Sequence, residues 1–222
     1  MHGIRMIMSV LIVVSACSDC KAEVYDIVIY GSSPAAISAA VQAKRMGAHA
    51  VVVSPESRIG GLTTGGLGQT DIGNKSAFGG IALEFYRDVA NYYRDEVRWK
   101  WQKRSDYMPD GQCAGTKGGD SMWTFEPSAA LEILEGWVRR DKLEVHRGKM
   151  LDRSAGKVKV QGEGKRRRIV SFVTEDGTEY VGRMFVDATY EGDLMAAAGV
   201  SYVVGREAND VYGETIAGNA PE

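Results

Sequence analysis

The stretch Tyr25-Asp26-Ile27-Val28-Ile29-Tyr30-Gly31-Ser32-Ser33-Pro34-Ala35-Ala36-Ile37-Ser38-Ala39-Ala40 decides how this chain is read. An apolar run passes through a tight turn into an alanine-rich helix. A strand that feeds a helix N-terminus leaves backbone N–H groups converging on one spot, and the aligned peptide dipoles favour negative charge there. A diphosphate is a natural occupant of such a turn. Against the pattern G-x-G-x-x-G the turn reads Gly31-x-Ser33-x-x-Ala36, keeping the first glycine and replacing the other two with small residues.

The flanking sequence completes a β-α-β unit. The helix carries Ala35, Ala36, Ile37, Ala39, Ala40, Val41, Ala43 and Met46, and Gly47 follows as a left-handed cap. The apolar run Ala48 to Val53 is the second strand. Its end is where an acidic residue receives ribose hydroxyls in dinucleotide-binding units. Ser54 holds that position here, with Glu56 nearby. Arg58 then leads into Gly60-Gly61-Leu62-Thr63-Thr64-Gly65-Gly66-Leu67-Gly68. Glycines this dense suit backbone that takes positive φ or approaches a ligand closely, so the segment reads as a loop wrapped around something bulky.

Further along, Ile81, Phe85, Val89 and Tyr93 recur every four residues, which predicts an amphipathic helix over about 78–95. It belongs to a helical insertion spanning about 76–125, whose second part is irregular and rich in aromatics, with Trp99, Trp101 and Tyr107. Pro127 opens a helix carrying Ala130, Leu131, Leu134, Trp137 and Val138. Leu143 to Arg147 alternates as a strand. Lys157–Val160, Arg168–Val173 and Glu179–Val181, with the turn Glu175-Asp176-Gly177-Thr178, read as an antiparallel meander.

Three blocks together, Tyr30 to Ala35, Gly60 to Gly68 and Asp187-Ala188-Thr189-Tyr190-Glu191-Gly192-Asp193, resemble the bacterial FAD-dependent oxidoreductases with a glutathione-reductase-like flavin domain. The likeness runs from about residue 24 to the end of the chain. It implies an α/β fold: a Rossmann-like FAD-binding domain over 23–222, with a parallel sheet whose third strand is Leu143 to Arg147, an antiparallel β-meander, and a separate strand after the meander over Met184 to Thr189. It implies a cofactor whose diphosphate lies over Gly31, Ser32, Ser33, Pro34, Ala35 and Ala36, with adenosine near Ser54. The ribityl and ring portions would fall near Gly60 and Gly61. Arg58 would neutralise phosphate or stand as a surface arginine, and Asp187 would fix a loop near the flavin or cap the residues after it. Relatives continue through a substrate domain and a returning segment, so the chain is expected to be an N-terminal portion, incomplete at its C-terminus. On its own it should be poorly stable and bind flavin weakly. The implied activity is hydride or electron transfer through the flavin on an unidentified organic or carbohydrate-derived substrate, with the catalytic acid and base unassigned.

Residues 1–22 read as an export signal, with Arg5 ahead of an apolar run from Met6 to Ala16 that is too short to span a bilayer. Val14-Ser15-Ala16-Cys17 resembles a lipoprotein box, which would leave Cys17 lipidated and the protein in the periplasm or at the outer membrane. Cleavage after Ala22 would instead release a secreted protein. No twin arginine is present, so a Sec-type route is expected. If Cys17 is lipidated, Cys20 and Cys113 remain for a disulfide; otherwise Cys113 stands alone.

Other chemistries fit less well. With 44% apolar residues, 25% charged residues and net charge −2, the composition is that of a globular protein and does not suggest nucleic acid. The basic run Lys165 to Arg168 reads as a solvated connection. His2, His49 and His146 lack metal-ligand spacing, and Gly115-Thr116-Lys117-Gly118 lacks the phosphate-loop pattern. The rival is a serine hydrolase, because Gly31-Ser32-Ser33-Pro34-Ala35 approaches G-x-S-x-G at a strand-to-helix turn, with Ser33 as nucleophile and His146 as base. An exported binding protein without turnover is the third reading.

Overall fold

The computed structural model describes residues 23–107 and 120–215. The expected signal segment, all three cysteines and the Gly115 to Gly118 stretch lie outside the described residues. Six strands form one sheet in the order β3-β2-β1-β6-β5-β4. They are β1 (Val24–Tyr30), β2 (Ala50–Val53), β3 (Glu144–His146), β4 (Val158–Gln161), β5 (Arg168–Val173) and β6 (Glu179–Asp187). Pairing is parallel among β3, β2, β1 and β6, and antiparallel from β6 through β5 to β4.

The first β-α-β unit forms where the residues dictate it. Val28, Ile29 and Tyr30 of β1 are fully buried, as a central parallel strand covered on both faces requires. Helix α1 (Pro34–Arg45) begins on a proline, whose missing N–H and fixed φ suit the first turn. It buries Ala36, Ile37, Ala40, Val41 and Ala43. Burying a side chain such as Ile37 or Val41 stabilises by roughly 1.5–3 kcal/mol. The helix ends in a Schellman motif: Gly47 at φ 79° donates to the Lys44 carbonyl and Ala48 to that of Ala43.

Two further helices cover the same side. Helix α3 (Gly80–Tyr92) and helix α4 (Pro127–Arg140) share a core with α1, in which Ile37, Val41, Val89, Ile133, Leu134 and Trp137 meet. The Trp137 indole donates to Asp88 at 2.7 Å, and Arg45 bridges to Glu84 at 2.8 Å. Beyond α3, Trp99 packs between Tyr93 and Tyr107, while Trp101 stands 88% exposed. The opposite face of the sheet is filled by Tyr25, Tyr30, Leu151, Phe172 and Tyr180.

One expectation is corrected. The sequence suggested a meander strand ending at Val181 and a new strand from Met184, but Glu179–Asp187 is a single nine-residue strand. Its start pairs antiparallel with β5, Phe172 opposite Tyr180, while Val181 to Asp187 run parallel to β1. Gly182 is no break. A Cβ there would stand 2.7 Å from Cγ2 of Val28, so glycine answers the close approach of a β1 side chain. The Glu175-to-Thr178 turn closes as expected, with Gly177 at φ 84°. Arg166 and Arg167 are exposed at the β4–β5 connection, and Arg168 opens β5.

Candidate functional site

The C-terminal ends of β1 and β6 lie side by side, Tyr30 opposite Asp187, and the chain leaves both in tight turns. Gly31 takes φ 135° and passes directly against the Ala188 backbone. Ser33, the N-cap residue of α1, turns its hydroxyl away from the helix and donates to the Ala188 carbonyl at 2.6 Å. It makes no side-chain cap, and the first turn carries no acidic residue. The positive end of α1 is therefore left without a carboxylate or hydroxyl of its own.

A cleft of about 390 Å³ opens beside this turn, with Ser32, Ser33, Glu56, Arg153, Thr189 and Asp193 in its walls. Ser32 donates to the Glu56 carboxylate at 2.9 Å, which holds that acid across the cleft floor. Asp187 shapes the far wall. Its Oδ1 accepts from the backbone N–H and hydroxyl of Thr189 at 3.0 and 2.7 Å. Its Oδ2 accepts from the N–H of Met195 at 2.8 Å, in the first turns of α5 (Asp193–Ala197). Of the two roles considered for Asp187, capping the loop and helix that follow is the one the geometry displays.

The remaining sequence candidates fall at graded distances from the cleft. Gly31 lies beneath the turn. Pro34 and Ala35 line an adjoining pocket of about 280 Å³, otherwise walled by Leu67, Phe85, Phe125 and Trp137. Gly60, at φ 91°, donates to the Ser32 carbonyl at 2.6 Å and ties the glycine-rich segment to the α1 turn. Gly61 opens the short helix α2 (Gly61–Gly65) and lies under the Tyr190 phenol, where a Cβ would come within 2.4 Å of the hydroxyl. That hydroxyl accepts from the Leu62 N–H at 3.0 Å.

Two candidates point elsewhere. Ser54 is fully buried, and its hydroxyl donates to the Glu56 carbonyl at 2.7 Å, so it braces the chain instead of facing the cleft. Glu56, two residues on, supplies the acid wall. Arg58 directs its guanidinium at the Thr64 carbonyl and caps α2 rather than lining the cleft. Sequence reasoning missed Arg153, which belongs to no periodic pattern, and gave Tyr190 no role although it stands in the Asp187-to-Asp193 block.

Nor does the fold assemble a hydrolase. The Ser33 hydroxyl is committed to Ala188, and the His146 ring is engaged at both nitrogens, by Tyr180 at 2.9 Å and Glu144 at 3.1 Å.

A family model described as FAD dependent oxidoreductase matches residues 26–221. The chain belongs to this family. FAD is the family's cofactor, and the cleft fits it chemically: an uncapped helix N-terminus for phosphate and a carboxylate for hydroxyl groups. Among solved structures, the chain is similar to a flavin-containing monooxygenase from Stenotrophomonas maltophilia, at 17% identity and TM-score 0.41, covering 75% of this chain and 38% of that one. It is also similar to a bacillithiol disulfide reductase from Staphylococcus aureus, at 13% identity and TM-score 0.40, covering 74% and 38%. A THI4 protein from Thermovibrio ammonificans matches at 14% identity and TM-score 0.48, covering 82% and 66%. The chain thus spans 38% of the length of the monooxygenase and the reductase. No curated protein matches it.

Proposed function

We propose that this chain carries FAD in the cleft beside Gly31 to Ala36 and serves flavin-mediated hydride or electron transfer on a small organic or carbohydrate-derived substrate. The observation that carries this reading is the α1 N-terminus, whose N-cap serine is diverted to Ala188 and whose first turn has no acid of its own. Peptide dipoles there amount to roughly half a positive charge, aimed at an anion.

Bound FAD supplies a two-electron acceptor that no amino-acid side chain can replace. The chain's own residues bind and orient. Glu56 accepts hydrogen bonds from ribose hydroxyls, in the posture that Ser32 gives it. Gly31 and Gly60 let backbone approach where any side chain would intrude. Asp187 holds the Ala188-to-Asp193 loop as a fixed wall. The pocket behind Pro34 and Phe125 offers a largely apolar wall next to that turn.

The reading extends to place. Arg5 and the apolar run after it support export through a Sec-type route, with either a lipid anchor at Cys17 or release after Ala22. Mass analysis of the mature N-terminus separates the two, and an intact Met1 in the native host removes both.

The decisive experiment is a visible spectrum of the purified full chain with its released cofactor identified. With FAD supplied in excess, oxidised flavin bands and FAD released on denaturation are expected, with weak retention once the excess is removed, as for a chain that spans 38% of the monooxygenase and the reductase. A colourless protein that takes up neither FAD nor its adenine half overturns the reading.

A further inference from the structure

We propose, resting on the reading of this cleft as a dinucleotide site, that Arg153 is the side-chain cation for the diphosphate, exchanged to it from Asp193. The electrostatics of the walls raise the need. Among the described residues that line the cleft, Glu56, Glu191 and Asp193 are carboxylates and Arg153 is the one cation. A diphosphate brings two further negative charges into that field. The α1 dipole offsets only roughly half a charge. Arg58, the arginine suggested by the sequence, is turned onto the Thr64 carbonyl.

Arg153 is placed for the role by a chain of contacts that begins at β1. The Tyr30 hydroxyl, on the residue immediately before Gly31, accepts from the buried Leu151 N–H at 3.0 Å. Asp152 accepts from the Ser154 N–H at 3.0 Å and fixes the turn on which Arg153 stands. The guanidinium then donates to Asp193 at 2.8 Å, with the arginine side chain 61% exposed. A guanidinium has five N–H donors in a planar fork suited to phosphate oxygens, so a single contact to Asp193 leaves capacity for a ligand. The guanidinium is the exposed end of the pair, Asp193 being 20% exposed, so the cation can turn to a ligand while the carboxylate stays in the wall.

Titration of the flavin-free full chain with ADP, adenosine and FAD tests the assignment in wild type, Arg153→Gln, Arg153→Lys and Asp193→Asn. ADP and FAD binding should weaken tenfold or more in R153Q, with adenosine affinity unchanged. R153K should fall between, because a point charge replaces a fork. D193N should bind ADP at least as tightly as wild type, since it removes a competing carboxylate. Equal ADP affinity in R153Q and wild type overturns the assignment of Arg153 while leaving the cleft intact. So does a parallel loss of adenosine and ADP, or a loss in D193N matching that in R153Q; either makes the pair a structural strut. Wild type that binds neither ADP nor FAD removes the underlying reading of the cleft.

Discussion

Gly31 faces Ala188 with no room between them: a Cβ on Gly31 would stand 2.5 Å from both the carbonyl carbon and the carbonyl oxygen of Ala188. The close approach joins the first strand's exit to the last strand's exit, and the cleft is the space above that junction. Steric exclusion and a φ of 135° act together, so no L side chain fits without moving one strand end.

Gly31→Ala should therefore destabilise the chain by on the order of 3 kcal/mol, the range of strain at a special backbone position. It should also lower FAD retention. Urea denaturation followed by tryptophan fluorescence, with flavin content measured alongside, checks both effects. A stable, fully flavinated G31A protein would contradict the geometry.

Ser33→Ala removes the 2.6 Å bond to Ala188. The stability loss should be about 1–2 kcal/mol, as for a buried hydrogen bond whose acceptor is left unsatisfied. A fluorophosphonate probe should leave Ser33 of the wild-type protein unlabelled, since its hydroxyl is committed to the Ala188 carbonyl and His146 is engaged by Tyr180 and Glu144. Covalent labelling at Ser33, read by mass spectrometry, would revive the hydrolase.

Trp137 is 3% exposed and joins α4 to Asp88 of α3 through its indole N–H. Trp137→Ala should cost about 3–5 kcal/mol through the cavity it leaves. Trp137→Phe keeps most of the packing and removes the indole donor from the partly buried Asp88, and should cost about 1 kcal/mol. Thermal midpoints in that order, wild type above W137F above W137A, are expected.

Acid sensitivity should include the β5–β6 hairpin, alongside the depressed carboxyls of Asp120, Asp141 and Asp152 elsewhere. The Lys149 ammonium, with Thr174 and Thr178, holds the Asp176 carboxyl well below its ordinary value of 3.8. Lys159, with Ser171, holds Glu179 below its ordinary 4.5. A carboxyl depressed by folding takes up protons preferentially in the unfolded chain, so its stabilisation is complete above those ordinary values. It disappears as the pH drops through the lower folded values. Asp176→Asn should lower the thermal midpoint at pH 7, and the gap from wild type should close progressively below pH 3.8. A gap that stays constant with pH would show that the carboxylate's charge is not what matters.

Much of this was legible from the residues in order. The first crossover could be read because its signals are local: an apolar run, a glycine, a proline at the helix start and Gly47 at its end each act within a few residues. The meander was visible through its alternation and its Asp-Gly turn. The unity of β6 was not, because Gly182 looks like a breaker in sequence and proves to be a clearance for Val28, a residue more than 150 positions earlier. Ser54 was misplaced for a related reason. The strand ends where expected, but the hydroxyl finds the Glu56 carbonyl inside the chain, and Glu56 takes the outer position. Arg153 and Tyr190 lie in irregular segments whose neighbours are set by tertiary packing, and periodicity says nothing about them.

The continuity of β6 makes the hairpin at one end of the sheet a ruler for the cleft at the other. Phe172 opposite Tyr180 sets where the strand starts, and seven residues later the same ladder delivers Asp187 level with Tyr30. Sliding that hairpin by a single residue would turn every β6 side chain to the wrong face and carry Ala188 away from Gly31. Insertions that respect the Glu175-to-Thr178 turn should thus be tolerated far better than any that lengthen the strand itself.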